Sequence, residues 1–358
     1  MRWSAMLCAA LCAAPAAGGA MAQQAPEPVQ QVEVSGMVDA DEVSYRRLLK
    51  GLDTFEKHRA LAPQGRLRYK LFPLAPEPKR PLVVQLRSDQ GSAPLALDAD
   101  YSFALPRDEA AAAAKAVVRT NRKSGSLAWR VDVRTPGLAA NQRRLGDLRL
   151  ECQVNREVDL LNGAKPPAYL LVNSIFDVCT QLGGGWLDVA PHAIFGITVV
   201  DGERRKQLFS EQLYLNRIPA LYRMFYDTYL SDRSYWLQIS DASWSDDTLL
   251  EFDYMEGEQH LPDATAAVIG ATKAEVTRTQ GKKGSATRFG NGYEVWTYDD
   301  KHAIPELLHW LPVVGDVVSV AEATRSVHEL AILFDKDGIV RKYQLREQPS
   351  TVAQLAGK

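Results

Sequence analysis

Three stretches in the first half of the chain alternate apolar and polar residues with a period of two. Leu67, Tyr69 and Leu71 interleave with Arg66, Arg68 and Lys70, and Leu127, Trp129, Val131 and Val133 with Ala128, Arg130, Asp132 and Arg134. In the third, Leu148, Leu150, Cys152 and Val154 interleave with Arg149, Glu151 and Gln153. Successive side chains of an extended backbone leave opposite faces, so each stretch reads as a half-buried antiparallel strand. With Leu82 to Leu86 and Tyr101 to Leu105, and with Pro and Gly turns between them, they predict a β-sandwich-like domain over 36–158. A different period precedes them. Tyr45, Leu48, Leu49, Leu52 and Phe55 form the i, i+3, i+4, i+7 stripe of an amphipathic helix within Asp41 to His58, read as a brace on the sheet or, alternatively, a partner-binding helix. The Ala110 to Ala114 run reads as a helical turn or a loop.

Residues 159–258 are mixed and β-rich, and are expected to lie against the preceding domain. Ala193 to Val200, an Asp201-Gly202 turn and a segment ending at Leu215 predict a hairpin. Pro219 is placed to open a helix on which Tyr222, Phe225, Tyr226 and Tyr229 share a face. Strands are expected at Tyr235 to Ile239 and Leu249 to Tyr254. Beyond them, Asp263 caps one short helix, and Thr272 caps a second with Glu275 completing a Thr-x-x-Glu box and Gly281 ending it. Tyr293 to Tyr298 reads as a strand. Leu330 to Phe334, the Asp335-Lys336-Asp337-Gly338 turn and Ile339 to Leu345 read as a hairpin.

Two helices followed by three antiparallel strands, carried by Gly270-Ala-Thr-Lys-Ala-Glu-Val276, the Tyr293 to Tyr298 strand and the Glu329 to Val340 hairpin segment, resemble the BamE-like (SmpA/OmlA) domain of bacterial outer-membrane lipoproteins. The resemblance covers residues 262–347, about the last quarter of the chain. It implies that this ααβββ module is of a kind that braces envelope assemblies without catalysing reactions. With the β-sandwich-like region read from the N-terminal pattern, the expected fold class is α+β. The family's Gly-x-Pro after the second helix is Gly281-Lys282-Lys283 here, its lipid-bearing N-terminal cysteine is absent, and an insertion over 303–326 interrupts the sheet. No partner-contact residue of the family carries over.

The N-terminus supplies an address that agrees with this. Arg2, the apolar Ala5 to Ala17 and Ala20-Met21-Ala22 form a signal-peptide pattern over 1–22, cut after Ala22. The apolar stretch falls short of the ~20 residues a membrane span needs, and Leu7 and Leu11 before Cys8 and Cys12 argue against lipidation. A polar linker with Pro26 and Pro28 occupies 23–35, and a tail 348–358. The expected location is the periplasm, with or without outer-membrane association. Removing residues 1–22 takes Arg2 and no acid, moving the net charge from -2 to -3, a balance that gives no reason to expect nucleic acid. Cys152 and Cys179 then remain in an oxidising compartment, and a disulfide between them is expected, against a metal pair or free thiols.

Candidate chemistry is sparse. Asp335, Asp337 and Gly338 recur in calcium loops but lack the further oxygen ligands and the distant Glu. Gly281-Lys282-Lys283-Gly284-Ser285 fails as a phosphate loop because Val276 stands where a glycine is required. Asp246, Asp247, Glu251 and Asp253 could house a glycosidase pair, though turn and strand-surface acids are the plainer reading. The expectation is a non-catalytic protein without metal or cofactor, whose partners are envelope proteins. In the apolar insertion, Trp310, Leu311, Val313 and Val314 are candidates for contact with a partner or a membrane surface; the competing reading folds them onto their own module. The alternative function is a cell-wall carbohydrate-binding or carbohydrate-active protein, with Tyr222 and Tyr226 stacking sugar rings.

Overall fold

A computed structural model describes residues 39–75, 80–160, 177, 179–180, 186–216, 228–257, 269–299 and 326–349. In chain order the elements are β1 (Ala40–Ser44), α1 (Tyr45–Lys57), β2 (Arg66–Pro73), β3 (Val84–Ser88), β4 (Gly91–Leu95), β5 (Ser102–Phe103), α2 (Glu109–Ala113), β6 (Val117–Lys123), β7 (Leu127–Arg134), β8 (Gln142–Arg144) and α3 (Leu145–Val158). They continue with β9 (Trp186–Val189), β10 (Ile194–Asp201), β11 (Arg204–Gln207), β12 (Ser234–Leu237), β13 (Leu249–Tyr254), α4 (Lys273–Gln280), β14 (Ser285–Arg288), β15 (Glu294–Asp299), β16 (Ser326–Phe334) and β17 (Val340–Pro349). The sheets run β1-β6-β3-β4, β5-β2-β7, β11-β10-β13-β8, β12-β9 and β14-β15-β16-β17. The fold is α+β with mostly antiparallel sheets.

Side chains of the first two sheets meet in one core. Tyr69, Leu71, Phe103, Trp129 and Val131 come from one sheet and Val84, Leu86 and Val118 from the other, with Tyr45, Leu48 and Phe55 of α1 among them. The amphipathic stripe of α1 therefore faces this core. The helix starts later than the pattern suggested because residues 40–44 pair with β6. Trp129 donates its indole N-H to Asp41 Oδ1 at 2.9 Å, which ties β7 to β1 across the core. Gly51 allows α1 to come close: a Cβ there would stand 2.4 Å from Tyr69 Oη and 2.7 Å from Val158 Cγ2. Tyr69 in turn donates to Leu48 O at 2.6 Å.

One expected strand is a helix. Residues 145–158 form α3, not an extended segment, and the false period of two has a physical origin. Leu145, Leu148 and Cys152 make one helical stripe, and they enter the core of the middle region. Leu150, Val154 and Val158 make a second stripe on the other side of the helix, and they enter the core of the first two sheets. Two buried stripes, each with helical spacing, interleave as 148, 150, 152 and 154 and imitate a strand. Acids on α3 are used as well: Asp147 accepts from Thr135 N at 2.8 Å and Thr135 Oγ1 at 2.6 Å, and Glu151 accepts from Val133 N at 3.2 Å.

The middle region is stitched to the first by pairing of β8 with β13 as well as by α3. Its hairpin forms one residue later than expected. Asp201 stays paired with Arg204, so Gly202 and Glu203 make the turn, with Gly202 at φ 60°. The second strand ends at Gln207, short of the expected Leu215, because a 3-10 turn at Ser210–Gln212 follows. β12 and β13 fall close to their expected places.

In the C-terminal region α4 begins and ends as its residues dictate. Thr272 accepts from Glu275 N, the Glu275 carboxylate accepts from Thr272 N at 2.8 Å, and Gly281 closes the helix at φ 68°. The β16-β17 hairpin turns through Gly338 at φ 77°. The sheet has four strands rather than the expected three, because Ser285–Arg288 adds β14 beside β15. The helix expected after Asp263 lies outside the described residues.

Candidate functional site

The C-terminal sheet is covered on both faces. Trp296, Leu330, Ile332, Phe334, Val340 and Tyr343 pack with Val276 of α4, the rings of Trp296 and Phe334 lying 4.7 Å apart. The opposite face sends Val295, Ala331 and Leu333, with Phe289, into the core of the middle region beside Phe195 and Tyr214. Farther along the strands this second face changes character. Thr297, Asp299, Glu329, Ser285 and Thr287 replace the apolar residues, and the sheet parts from the 209–216 segment. The gap is a half-open cleft of about 1100 Å³. Phe209, Ser210, Glu211 and Asn216 form one wall; Lys282 to Arg288 form the other.

Buried charges hold these walls in place. Arg346 is fully buried on β17 and donates to Glu329 Oε1 at 2.7 Å and to Phe195 O at 2.7 Å. Glu329 also accepts from Ser210 N at 2.9 Å and from the Ser210 hydroxyl, so a single ion pair fixes the wall of the cleft to its floor. Lys342, four residues before Arg346 and on the same face of β17, donates to Asp253 Oδ1 and to Tyr254 O, both at 2.6 Å. Tyr214 and Leu215 adopt left-handed φ angles of 60° and 62°, a conformation that costs about 1–3 kcal/mol per residue and persists only when its surroundings enforce it. Burial of both side chains and the Tyr214 hydroxyl bond to Phe195 O at 2.7 Å supply that enforcement.

At the far end of β14 and β15, Glu294 receives Lys273 Nζ at 2.8 Å, Arg288 Nε at 3.1 Å and Trp296 Nε1 at 2.6 Å. Burial pushes its carboxyl upward, but the bonds from Lys273, Trp296 and Arg288 outweigh it and hold the group at about 2, below its ordinary 4.5. A carboxyl whose folded value is depressed stabilises fully above its unfolded value and loses that contribution as pH falls toward the folded one. Stability is therefore expected to fall between pH ~4.5 and ~2, by about 3 kcal/mol at most from this group. Urea titrations across that range should show a shallower acid limb for Glu294→Gln than for the wild type. Equal acid limbs would show that the carboxylate is no better held in the folded state than in the unfolded one.

Of the residues singled out from the sequence, the fold joins the two cysteines and leaves the acids of 246–253 apart. Asp246, Asp247, Glu251 and Asp253 pair separately with Arg149, Arg144, Arg205 and Lys342. Both oxygens of Asp335 are used within the hairpin, Oδ1 by Asp337 N and Ile339 N and Oδ2 by Arg341. Cys152 and Cys179 are bonded, with their sulfurs 2.02 Å apart, and both are buried in the middle core. Cys152 reaches that core from a helix, where a strand was expected. Tyr222, Tyr226, Trp310, Leu311, Val313 and Val314 lie outside the described residues, as do the signal-peptide pattern, the linker and the 303–325 part of the insertion. Among the described residues no group of three or more His, Cys, Asp or Glu is placed to hold a metal ion, and no helix is long and apolar enough to cross a membrane.

Sequence reasoning missed the buried ionic centres. Arg143 bridges Glu151 and Asp188, and Asp188 accepts from Tyr235 Oη at 2.6 Å. In sequence, Gln142-Arg143-Arg144 resembles a solvated run, and its acidic partners are 8 and 45 residues away. For Arg346 a signal did exist: Lys342 and Arg346 share one face of a strand whose alternate residues, Tyr343 and Leu345, are apolar. No family model, no curated protein and no solved structure matches this chain.

Proposed function

We propose that this protein is a non-catalytic binding or assembly scaffold of the bacterial envelope, periplasmic or associated with the outer membrane. In this reading a β-sandwich-like N-terminal region carries a BamE-like C-terminal module. The observation that supports it is the construction of the C-terminal sheet. One face is closed by α4, and the other is fixed to the middle core by Phe289, Val295 and Leu333 and by the Arg346 and Lys342 bonds. A module secured in this way holds its remaining polar surface, the cleft and the β14 edge, at a fixed orientation to the rest of the chain. Pre-organisation of that kind reduces the ordering cost of binding a partner. The export signal read from residues 1–22 supplies the compartment.

The test is affinity capture of the full chain from cross-linked envelope extracts. Recovery of a specific periplasmic or outer-membrane protein is expected. Recovery of nothing above background after cross-linking would contradict the proposal.

A further inference from the structure

β1 is the first strand of the described fold and one of its edges. It ends the β1-β6-β3-β4 sheet, pairs with β6 alone among the described strands, and shifts register between Ala40 and Glu42. Asp41 sits at that shift. Its side chain turns inward to the Trp129 indole, and the residue is 8 % exposed. Oδ1 accepts the Trp129 N-H, whereas Oδ2 is buried without a hydrogen-bond partner. An edge strand thus presses a half-satisfied carboxylate against the core, where the ionised form is costly and the neutral form much less so.

The cations of the neighbouring elements are engaged elsewhere. Across β6, Arg119 pairs with Glu42 at 3.5 Å, Arg122 bonds to Asn121 Oδ1 and Arg80 O, and the exposed Lys123 stands opposite Ala40. On α1, Arg46 bonds to Ala112 O, Arg47 to Val158 O, and Lys50 pairs with Glu157. Arg130 and Asp132 of β7 alternate with Trp129 and Val131, so they leave the opposite face of the sheet. The charge that acts on Asp41 is Asp39, and it repels. Burial pushes the Asp41 carboxyl above its ordinary 3.8; the Trp129 bond and the backbone of Leu127 and Gly125 pull it back without cancelling the rise, to which Asp39 adds.

We infer that β1 is an acid-tightened strap: it lies on β6 more firmly as pH falls, because the charge its docking must bury is removed, and it lifts more readily near neutral pH. A carboxyl whose folded value is raised contributes stability that is fully present below its unfolded value and is lost as pH rises through the folded one. The gain therefore builds as pH falls from neutrality toward ~4. Lifting is local. At the far end of the strand Tyr45 donates its N-H to Ala116 O at 3.0 Å and its hydroxyl to Pro106 O, so the movement stops where α1 begins. The strap does not depend on the scaffold reading.

The experiment is hydrogen exchange of the full chain at pH ~7.5 and ~4.5, corrected for intrinsic exchange, with residues 39–44 followed against 127–134 as an internal reference. Asp41→Asn keeps the shape of the side chain and the acceptor for Trp129 while removing the charge. In the wild type, protection of 39–44 relative to the reference should rise at least about threefold on acidification. In Asp41→Asn it should already be as high at pH ~7.5 as in the acidified wild type, and stay flat. Asp39→Asn, an exposed substitution that removes the repulsion and leaves Asp41 in place, should raise protection at pH ~7.5 by less than Asp41→Asn does and keep the pH dependence.

Equal wild-type protection at the two pH values, or an unaltered pH dependence in Asp41→Asn, would overturn the inference. So would a strand less protected in Asp41→Asn than in the wild type at pH ~7.5 while the reference is intact, since the ionised carboxylate would then be what holds β1 down. Where Asp41→Asn loses the protection of 127–134 as well, Asp39→Asn decides: a gain at pH ~7.5 supports the strap, and no gain overturns it.

Discussion

Replacing Arg143 with Met is expected to lower the free energy of unfolding at pH 7 by about 3–5 kcal/mol, the usual consequence of leaving a buried carboxylate without its partner. Arg143 is 1 % exposed, and Glu151 and Asp188 are 2 % and 4 % exposed. The guanidinium bonds to both, at the junction where α3, β8 and β9 meet. Neither acid has an easy refuge, since Glu151 already accepts from Val133 N and Asp188 from Tyr235. Changing all three to neutral residues, Arg143→Met with Glu151→Gln and Asp188→Asn, should restore much of the loss, because the uncompensated charge is removed along with the pair. Equilibrium urea denaturation of the single and triple variants is the measurement. A single variant within 1 kcal/mol of the wild type would show that the network does not bind the two regions together.

The second large effect concerns the disulfide. Cys152 and Cys179 are separated by 27 residues, and closing a loop of that size stabilises the folded chain by about 3 kcal/mol in the chain-entropy model. The bond joins α3 to the start of a segment that leads to β9, so it constrains the middle region, where its sulfurs contribute to the apolar core. Cys152→Ala with Cys179→Ala, and the wild type in excess dithiothreitol, should each show a substantially lower thermal midpoint under conditions where the oxidised protein is fully folded. An unchanged midpoint in both cases would mean that the link adds nothing beyond the surrounding packing.

What could be read from the residues was local. The cap, box and stop of α4 are set by Thr272, Glu275 and Gly281 within ten positions of one another, and the β16-β17 turn by Asp335 and Gly338. The strand at β7 was legible because one face is uniformly apolar. α3 was not, because it is buried on two sides and its two stripes add up to the wrong period. β14 escaped notice because Ser285-Ala-Thr-Arg288 has no apolar face; it is the terminal strand of its sheet among the described strands. The cleft itself could not be read from any window of sequence. It forms where Ser210 meets Glu329, 119 residues away, and where the second face of the C-terminal sheet turns from Val295 and Leu333 to Thr297 and Glu329. The acidic run at 246–253 gave a misleading hint of chemistry because its cationic partners, Arg144, Arg149, Arg205 and Lys342, come from four different elements or turns.

The function proposed here requires that the chain work outside the cytoplasm, so its location is the most direct test. Cells of the source organism, fractionated into cytoplasm, soluble periplasm, inner membrane and outer membrane and probed for the untagged protein, should show it in the periplasmic or outer-membrane fraction. Finding the bulk of the folded protein in the cytoplasm would contradict the account.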